Sequence, residues 1–368
     1  MRRAIVHIGL PRTGSTTFQH ILYHLRPDLK AVGVLYPDLT PRSALLTPHI
    51  NHQHLGETLD GRRPPQEREE LLHELSRALD TSECDVVLLS YESLIQQKRR
   101  CRTPEILSTL FARHGFAMEA LVVVKPQSEY LNSIYTHRIQ FMRESRDFAH
   151  FARAYERSGR FAYDTLIRPW IASCDGRVGA VPVRDRRSTA PLVLRLLSEL
   201  TLEDRVAPLL QSDDLNRVEN RSPGPVAIEV SRRLRAELMQ LRLRINQREM
   251  TQFVEQTVIE RGLDPMGFRG VSADIRSRMD ARYLAANDRF ARAIWERPWA
   301  EVVAPEAPRE VNELAIRAID PAIELVIEDI LQRACRRFEV TPSSSMMNRP
   351  INLLVDGIEL LRQLLRIH

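Results

Sequence analysis

Cysteine is scarce in this chain. Cys84, Cys101, Cys174 and Cys335 are scattered through 368 residues, and no two stand at C-x-x-C spacing. That pattern excludes a disulfide framework and a cysteine zinc site, and reads as reduced thiols in a cytoplasmic protein. Apolar runs are short as well. None approaches the ~18 residues of a membrane-crossing helix, and the sequence enters a strand pattern at once, without a secretory leader. Charge of one sign is not dominant: 53 Lys and Arg face 48 Asp and Glu, a net +5 carried largely by arginine. So mild a surplus, with aromatics at 6% and no compact basic run interleaved with them, argues against a nucleic-acid partner. Hydrophobic residues at 43% are ordinary for a globular chain, and the length suits one large α/β domain with or without an appendage.

What is present begins at residue 4. An apolar, β-branched run (Ala4, Ile5, Val6, Ile8) breaks at Gly9, passes through Pro11-Arg12-Thr13-Gly14, and resumes as Ser15-Thr16-Thr17-Phe18-Gln19. This predicts a buried strand, a tight loop and a helix start, which together aim backbone N–H groups and a helix dipole at one spot. Gly9 and Gly14 have the spacing of a nucleoside-triphosphate P-loop, but Ser15 stands where that loop has lysine. The cation is Arg12, inside the loop. A G-x-G-x-x-G fingerprint is also absent. The alternatives are an ordinary strand–turn–helix connection and a cradle for an anion other than a Mg-bound triphosphate.

Further strands are expected over Ala31–Tyr36, Asp85–Ser90, Ala120–Val124 and Val178–Val183, with Asp85–Ser90 and Ala120–Val124 as continuous apolar runs buried on both faces of a parallel sheet. Helical stretches between them (Glu67–Ala78, and one from about Ser128) imply βαβ units. The expected fold is therefore α/β, a three-layer α/β/α arrangement around a central parallel sheet, and ligands of such folds sit at the carboxyl ends of the strands. Residues 38–65 form a long Pro-, His- and Gly-containing connection. From about Pro191 the pattern turns helical, with long Arg-rich stretches over Val226–Gln247 and Ser272–Trp295. A boundary near residue 300 divides the α/β domain from a helical extension, 301–368. Thr341–Ser345 reads as a loop. Leu354, Ile358, Leu361 and Leu365 then share one helical face, which suits core docking or a homodimer contact, with peripheral membrane attachment as the lesser reading.

Polar chemistry gathers at three strand ends: Arg12 and the hydroxyls of Ser15, Thr16 and Thr17; then Ser90-Tyr91-Glu92-Ser93; then Lys125, with Ser133 eight residues later on the following helix. Here HIGLPRTGSTTFQ resembles the 5′-phosphosulfate loop of sulfotransferases that use 3′-phosphoadenosine 5′-phosphosulfate (PAPS), and VVVKPQSEYLNSIY resembles their 3′-phosphate motif. The segments Glu219-Asn220-Arg221-Ser222-Pro223 and Tyr283–Phe290 are similar to bacterial carbohydrate-type members, so the likeness covers roughly residues 4–295.

The resemblance implies a P-loop-like fold and a metal-free transfer of sulfate from PAPS to a hydroxyl, less readily an amine, of a glycan or lipid-linked acceptor. Pro11, Arg12, Thr13, Gly14, Ser15, Thr16 and Thr17 would wrap the 5′-phosphosulfate, and Lys125 and Ser133 would hold the 3′-phosphate, with Arg221 reaching the 3′-phosphate or the adenine. Arg12 would stabilise the transferring group. Glu92 would be the base, with His52 of the His49, His52, His54 group as its rival. His7 reads as a core histidine. Two cations depart from the family pattern: Arg12 stands where lysine is usual, and Lys125 where arginine is usual. Charge survives both exchanges but geometry does not, since Arg is a planar fork and Lys a point charge. A weakly active or non-catalytic PAPS-binding protein and a P-loop kinase are the competing readings.

Overall fold

The opening strand pattern becomes β1 (Arg2–His7), the central member of a parallel sheet. A computed structural model describes residues 2–44, 49–96, 101–216, 222–241 and 246–340. Its other strands are β2 (Val34–Leu35), β3 (Val86–Ser90), β4 (Phe116–Val124) and β5 (Val178–Pro182), in the order β2-β3-β1-β4-β5, all parallel. All five residues of β3 and the last five of β4 are buried, as their unbroken apolar sequences require of strands covered on both faces. The first helix (Ser15–His24) lays Phe18, Ile21 and Leu22 into a core with Ile5, Leu88, Leu121 and Val123, and the helix Leu192–Glu199 adds Val193, Leu196 and Leu197. The second strand is shorter than expected. Pro27 opens a helix over Arg26–Ala31, so only Val34 and Leu35 pair with β3. The long connection after it carries a helix of its own, Gln53–Leu59.

The chain divides into two compact units, and the division does not fall near residue 300. The first comprises Met1–Tyr130, Arg160–Asn220 and Asp280–Glu306, and contains the whole sheet. The second comprises Leu131–Gly159, Arg221–Met279 and Ala307–His368. Its described part is helical, with Phe148–Ser158, Pro225–Gln240, Gln247–Glu260 and Pro321–Arg337. Val226, Val230, Leu234 and Leu238 recur every fourth residue and meet Met250, Val254, Val258, Ile327, Ile330 and Leu331 in one core. Segments from before and after residue 300 thus complete each other's apolar faces. The expected boundary gives way to that packing. Arg221, the Thr341–Ser345 loop and the closing Leu354–Leu365 face lie outside the described residues. Among those described, no helix is long and apolar enough to cross a membrane.

Candidate functional site

β1 lies between β3 and β4, with His7 level with Ser90 on one side and Leu121 on the other. The chain fills one side of β1 with β3 and β2 and then the other with β4 and β5, so the carboxyl end of β1 is a topological switch point, where ligands of open α/β sheets bind. The loop that leaves it is pinned at its base: Tyr91 N–H donates to His7 O (3.1 Å), Ile8 N–H to Leu121 O (2.9 Å) and Ile95 N–H to Ile8 O (3.0 Å). It then turns through two left-handed residues, Arg12 (φ 66°) and Gly14 (φ 88°). For Gly14 this is free, and a Cβ there would meet Leu192 Cδ2 at 2.9 Å. For Arg12 the same region costs roughly 1–2 kcal/mol. A Cβ on Gly9 would lie 2.8 Å from His7 Nε2. Gly14 caps the first helix without a side-chain bond of its own.

The loop hydroxyls divide into two sets. Thr13 donates to Leu10 O at 2.7 Å and therefore accepts from Ser15 Oγ at 3.1 Å; both side chains are buried, and both protons are used inside the loop. Pro11, Arg12, Thr16 and Thr17 are half-buried and Gly14 is exposed. Thr16 donates to Glu92 Oε1 at 3.4 Å. Burial pushes the Glu92 carboxyl up to about 7, against the opposing pull of the Thr16 hydroxyl and the Arg12 guanidinium. A carboxylate beside a cation and titrating near neutrality has the proton affinity of a general base.

Lys125 follows the end of β4 and is buried. Its Nζ donates to Arg12 O at 2.7 Å, and Tyr163 Oη donates to the Lys125 carbonyl at 2.7 Å. Burial first, then the charges of Arg12 and Arg184, pull the ammonium down to about 7, while Glu129 and Glu306 oppose them. Glu129, one helical turn on, is held in turn: Arg184 bonds Oε2 and Glu306 N–H donates to Oε1 at 2.6 Å. Arg12, Thr16, Glu92 and Lys125 thus stand together in the first unit, drawn from three strand ends. Ser133 is half-buried on the helix Gln127–Gln140 and belongs to the second unit.

His52 does not join that group. Its Nδ1 accepts Ser90 N–H at 2.9 Å, its Nε2–H donates to Pro37 O at 3.0 Å, and the ring lies edge-on to Tyr36. With both nitrogens engaged and burial drawing it down to about 4, it braces the end of β3 and has no lone pair to offer a substrate. His54 is likewise buried and packs on His49.

A polar chain that sequence reasoning missed runs beneath the loop. Asn51 Oδ1 accepts Gln53 N–H (3.1 Å), which directs Asn51 Nδ2 to Gln19 Oε1 (3.0 Å) and Gln19 Nε2 to Ser90 Oγ (2.9 Å). Ser90 Oγ in turn pairs with His7 Nδ1 at 2.7 Å, which ends the chain on the histidine ring. His7 is a core histidine, neutral and drawn down to about 4 by burial, but its Nε2 has no partner among the described residues. Ser90, the polar residue that closes the otherwise apolar β3, was the available signal. Gln127, at the start of the helix Gln127–Gln140, is locked to Asn287 by two amide bonds of 2.6 and 2.9 Å.

Among the described residues no three His, Cys, Asp or Glu side chains cluster as a metal site would require. Compared with known protein families, curated proteins and solved structures, the chain matches none.

Proposed function

We propose that the first unit is a P-loop-like α/β/α sulfotransferase that binds PAPS at the carboxyl end of β1 and transfers its sulfuryl group to a hydroxyl of a glycan or lipid-linked acceptor. The observation that carries this reading is Glu92. A carboxyl raised to about 7, bonded to Thr16 at the start of the loop's helix and close to Arg12, puts a base and a cation at one anion loop. Its proton affinity suits removal of the acceptor's proton near neutral pH. The acceptor oxygen then bonds to sulfur as the bond from sulfur to the 5′-phosphate bridging oxygen breaks. Adenosine 3′,5′-bisphosphate leaves, and Arg12 offsets the charge that grows on that oxygen. As in phosphoryl transfer, the protein supplies position and electrostatics more than covalent chemistry.

The test is direct. Adenosine 3′,5′-bisphosphate raises the melting temperature and ATP-Mg does not; labelled PAPS passes sulfate to an acceptor from a panel of envelope glycans and lipids. Stabilisation by ATP-Mg alone would favour a kinase. Stabilisation by the bisphosphate with no transfer to any acceptor favours the second reading, a PAPS-binding protein without turnover. Arg12 supports that alternative, because its planar fork replaces the family's lysine and its backbone is already held left-handed.

A further inference from the structure

We infer that Lys125 is a positioning residue for the anion loop: its ammonium, by holding the Arg12 carbonyl, keeps the left-handed peptide that lets the loop present its N–H groups. The inference rests on the anion loop of the preceding section, but not on which anion the loop takes.

Arg12 adopts a positive-φ backbone conformation that is sterically costly for a residue with a Cβ. From outside the loop Lys125 Nζ donates to its carbonyl, 2.7 Å away and 113 residues later in sequence. The lysine is built in from several sides. Tyr163 fixes its main chain, and Glu129 supplies the nearby negative charge while being fixed itself by Arg184 and the Glu306 N–H. Composition sharpens the point. Only Lys30, Lys98 and Lys125 are lysines in a chain with 53 cationic Lys and Arg side chains, and one of the three occupies this buried place. A compact ammonium can sit on a single carbonyl; a guanidinium fork demands a broader acceptor.

The groups that face this ammonium are Arg12 from the loop, Glu129 from the helix Gln127–Gln140, Arg184 from beyond β5 and Glu306. Burial and the two arginines bring it near neutrality, so raising the pH through about 7 removes the proton that makes the bond charge-assisted. An anion in the loop opposes that loss, and its binding is accompanied by proton uptake.

Two arms test the proposal. Without ligand, Lys125→Met is expected to raise amide exchange across residues 9–17 about tenfold or more, with Lys125→Arg intermediate and the rest of the sheet unchanged. Unchanged exchange in the loop, at intact melting temperature, overturns it. With ligand, adenosine 3′,5′-bisphosphate and adenosine 5′-monophosphate are titrated into the wild type, Lys125→Met, and the Arg12→Gly and Arg12→Gly/Lys125→Met pair. A positioning role predicts that Lys125→Met weakens both ligands by the same factor, about tenfold. In the Arg12→Gly background, where glycine holds the turn freely, it predicts a loss within about twofold. Loss confined to the 3′-phosphorylated ligand, additive in both backgrounds, shows a direct phosphate contact instead. If the wild type binds neither nucleotide, the proposed function fails, and the exchange arm alone decides the role of Lys125.

Discussion

Glu92 in the first unit and Glu313 in the second carry carboxyls pushed up to about 7, and in both burial is the largest cause. Their partners differ. Glu313 is 2% exposed and accepts Phe148 N–H at 2.7 Å, at the start of the helix Phe148–Ser158, with Asp147, Glu229 and Arg232 nearby. It satisfies a helix N-terminus from inside the fold. Glu92 is half-buried and meets a hydroxyl and a guanidinium at a glycine-containing loop. A displaced proton affinity reports burial in both places. Only the surrounding donors, and a path to solvent, make one of them a candidate for chemistry.

The largest effect that separates them is on transfer. Glu92→Gln is expected to lower sulfate transfer from labelled PAPS by about 10²–10⁴-fold, the usual worth of a general base, with bisphosphate affinity within a few fold. Glu313→Gln should leave the rate within about twofold. Equal losses in the two variants would erase the distinction. The rate of the wild type should rise with pH through about 7, because the base must be unprotonated.

Stability reverses the ranking. Glu313→Ala leaves the Phe148 N–H without its acceptor and should cost about 1–3 kcal/mol, read from urea midpoints, whereas Glu313→Gln keeps an acceptor and should cost less than ~1 kcal/mol. The pH dependence has a definite sign. Glu313 binds its proton more tightly folded than unfolded, so its contribution is intact below the unfolded value of 4.5 and is lost as pH rises toward about 7. The loss is on the order of 2–3 kcal/mol. Glu313→Gln should flatten that slope; an unchanged slope would place the titration elsewhere.

His52→Ala is expected to cost about 1–3 kcal/mol, since Ser90 N–H and Pro37 O both lose a buried partner. It should leave the acid limb of the pH–rate profile where it was. A shift of that limb would return His52 to the chemistry. The smallest effect belongs to Thr16→Val. Removing the hydroxyl that favours the charged carboxylate should move the acid limb upward by ~0.5 pH unit, and Thr16→Ser should restore it.

Much of this was legible in the sequence. The strand entering Gly9, the buried runs of β3 and β4, and the approach of Arg12, Glu92 and Lys125 follow from apolar runs that end in polar residues on a parallel sheet. His52 was not legible, because a histidine in a Pro-rich connection carries no mark of whether it faces a cleft or a strand end. The division into units was not either. Its core joins Val226, Met250 and Ile327, and helical periodicity shows that each has an apolar face without showing which faces meet.

By itself, then, the sequence determined the local elements and the polarity of the strand ends, since backbone sterics and apolar periodicity act over a few residues. Tertiary structure alone decided which hydroxyl protons the loop uses internally, which histidine nitrogens are taken, and that Lys125 rests on the carbonyl of Arg12. Those outcomes depend on distances between groups far apart in the chain, and in a buried setting each donor goes to whichever acceptor the packing brings within reach.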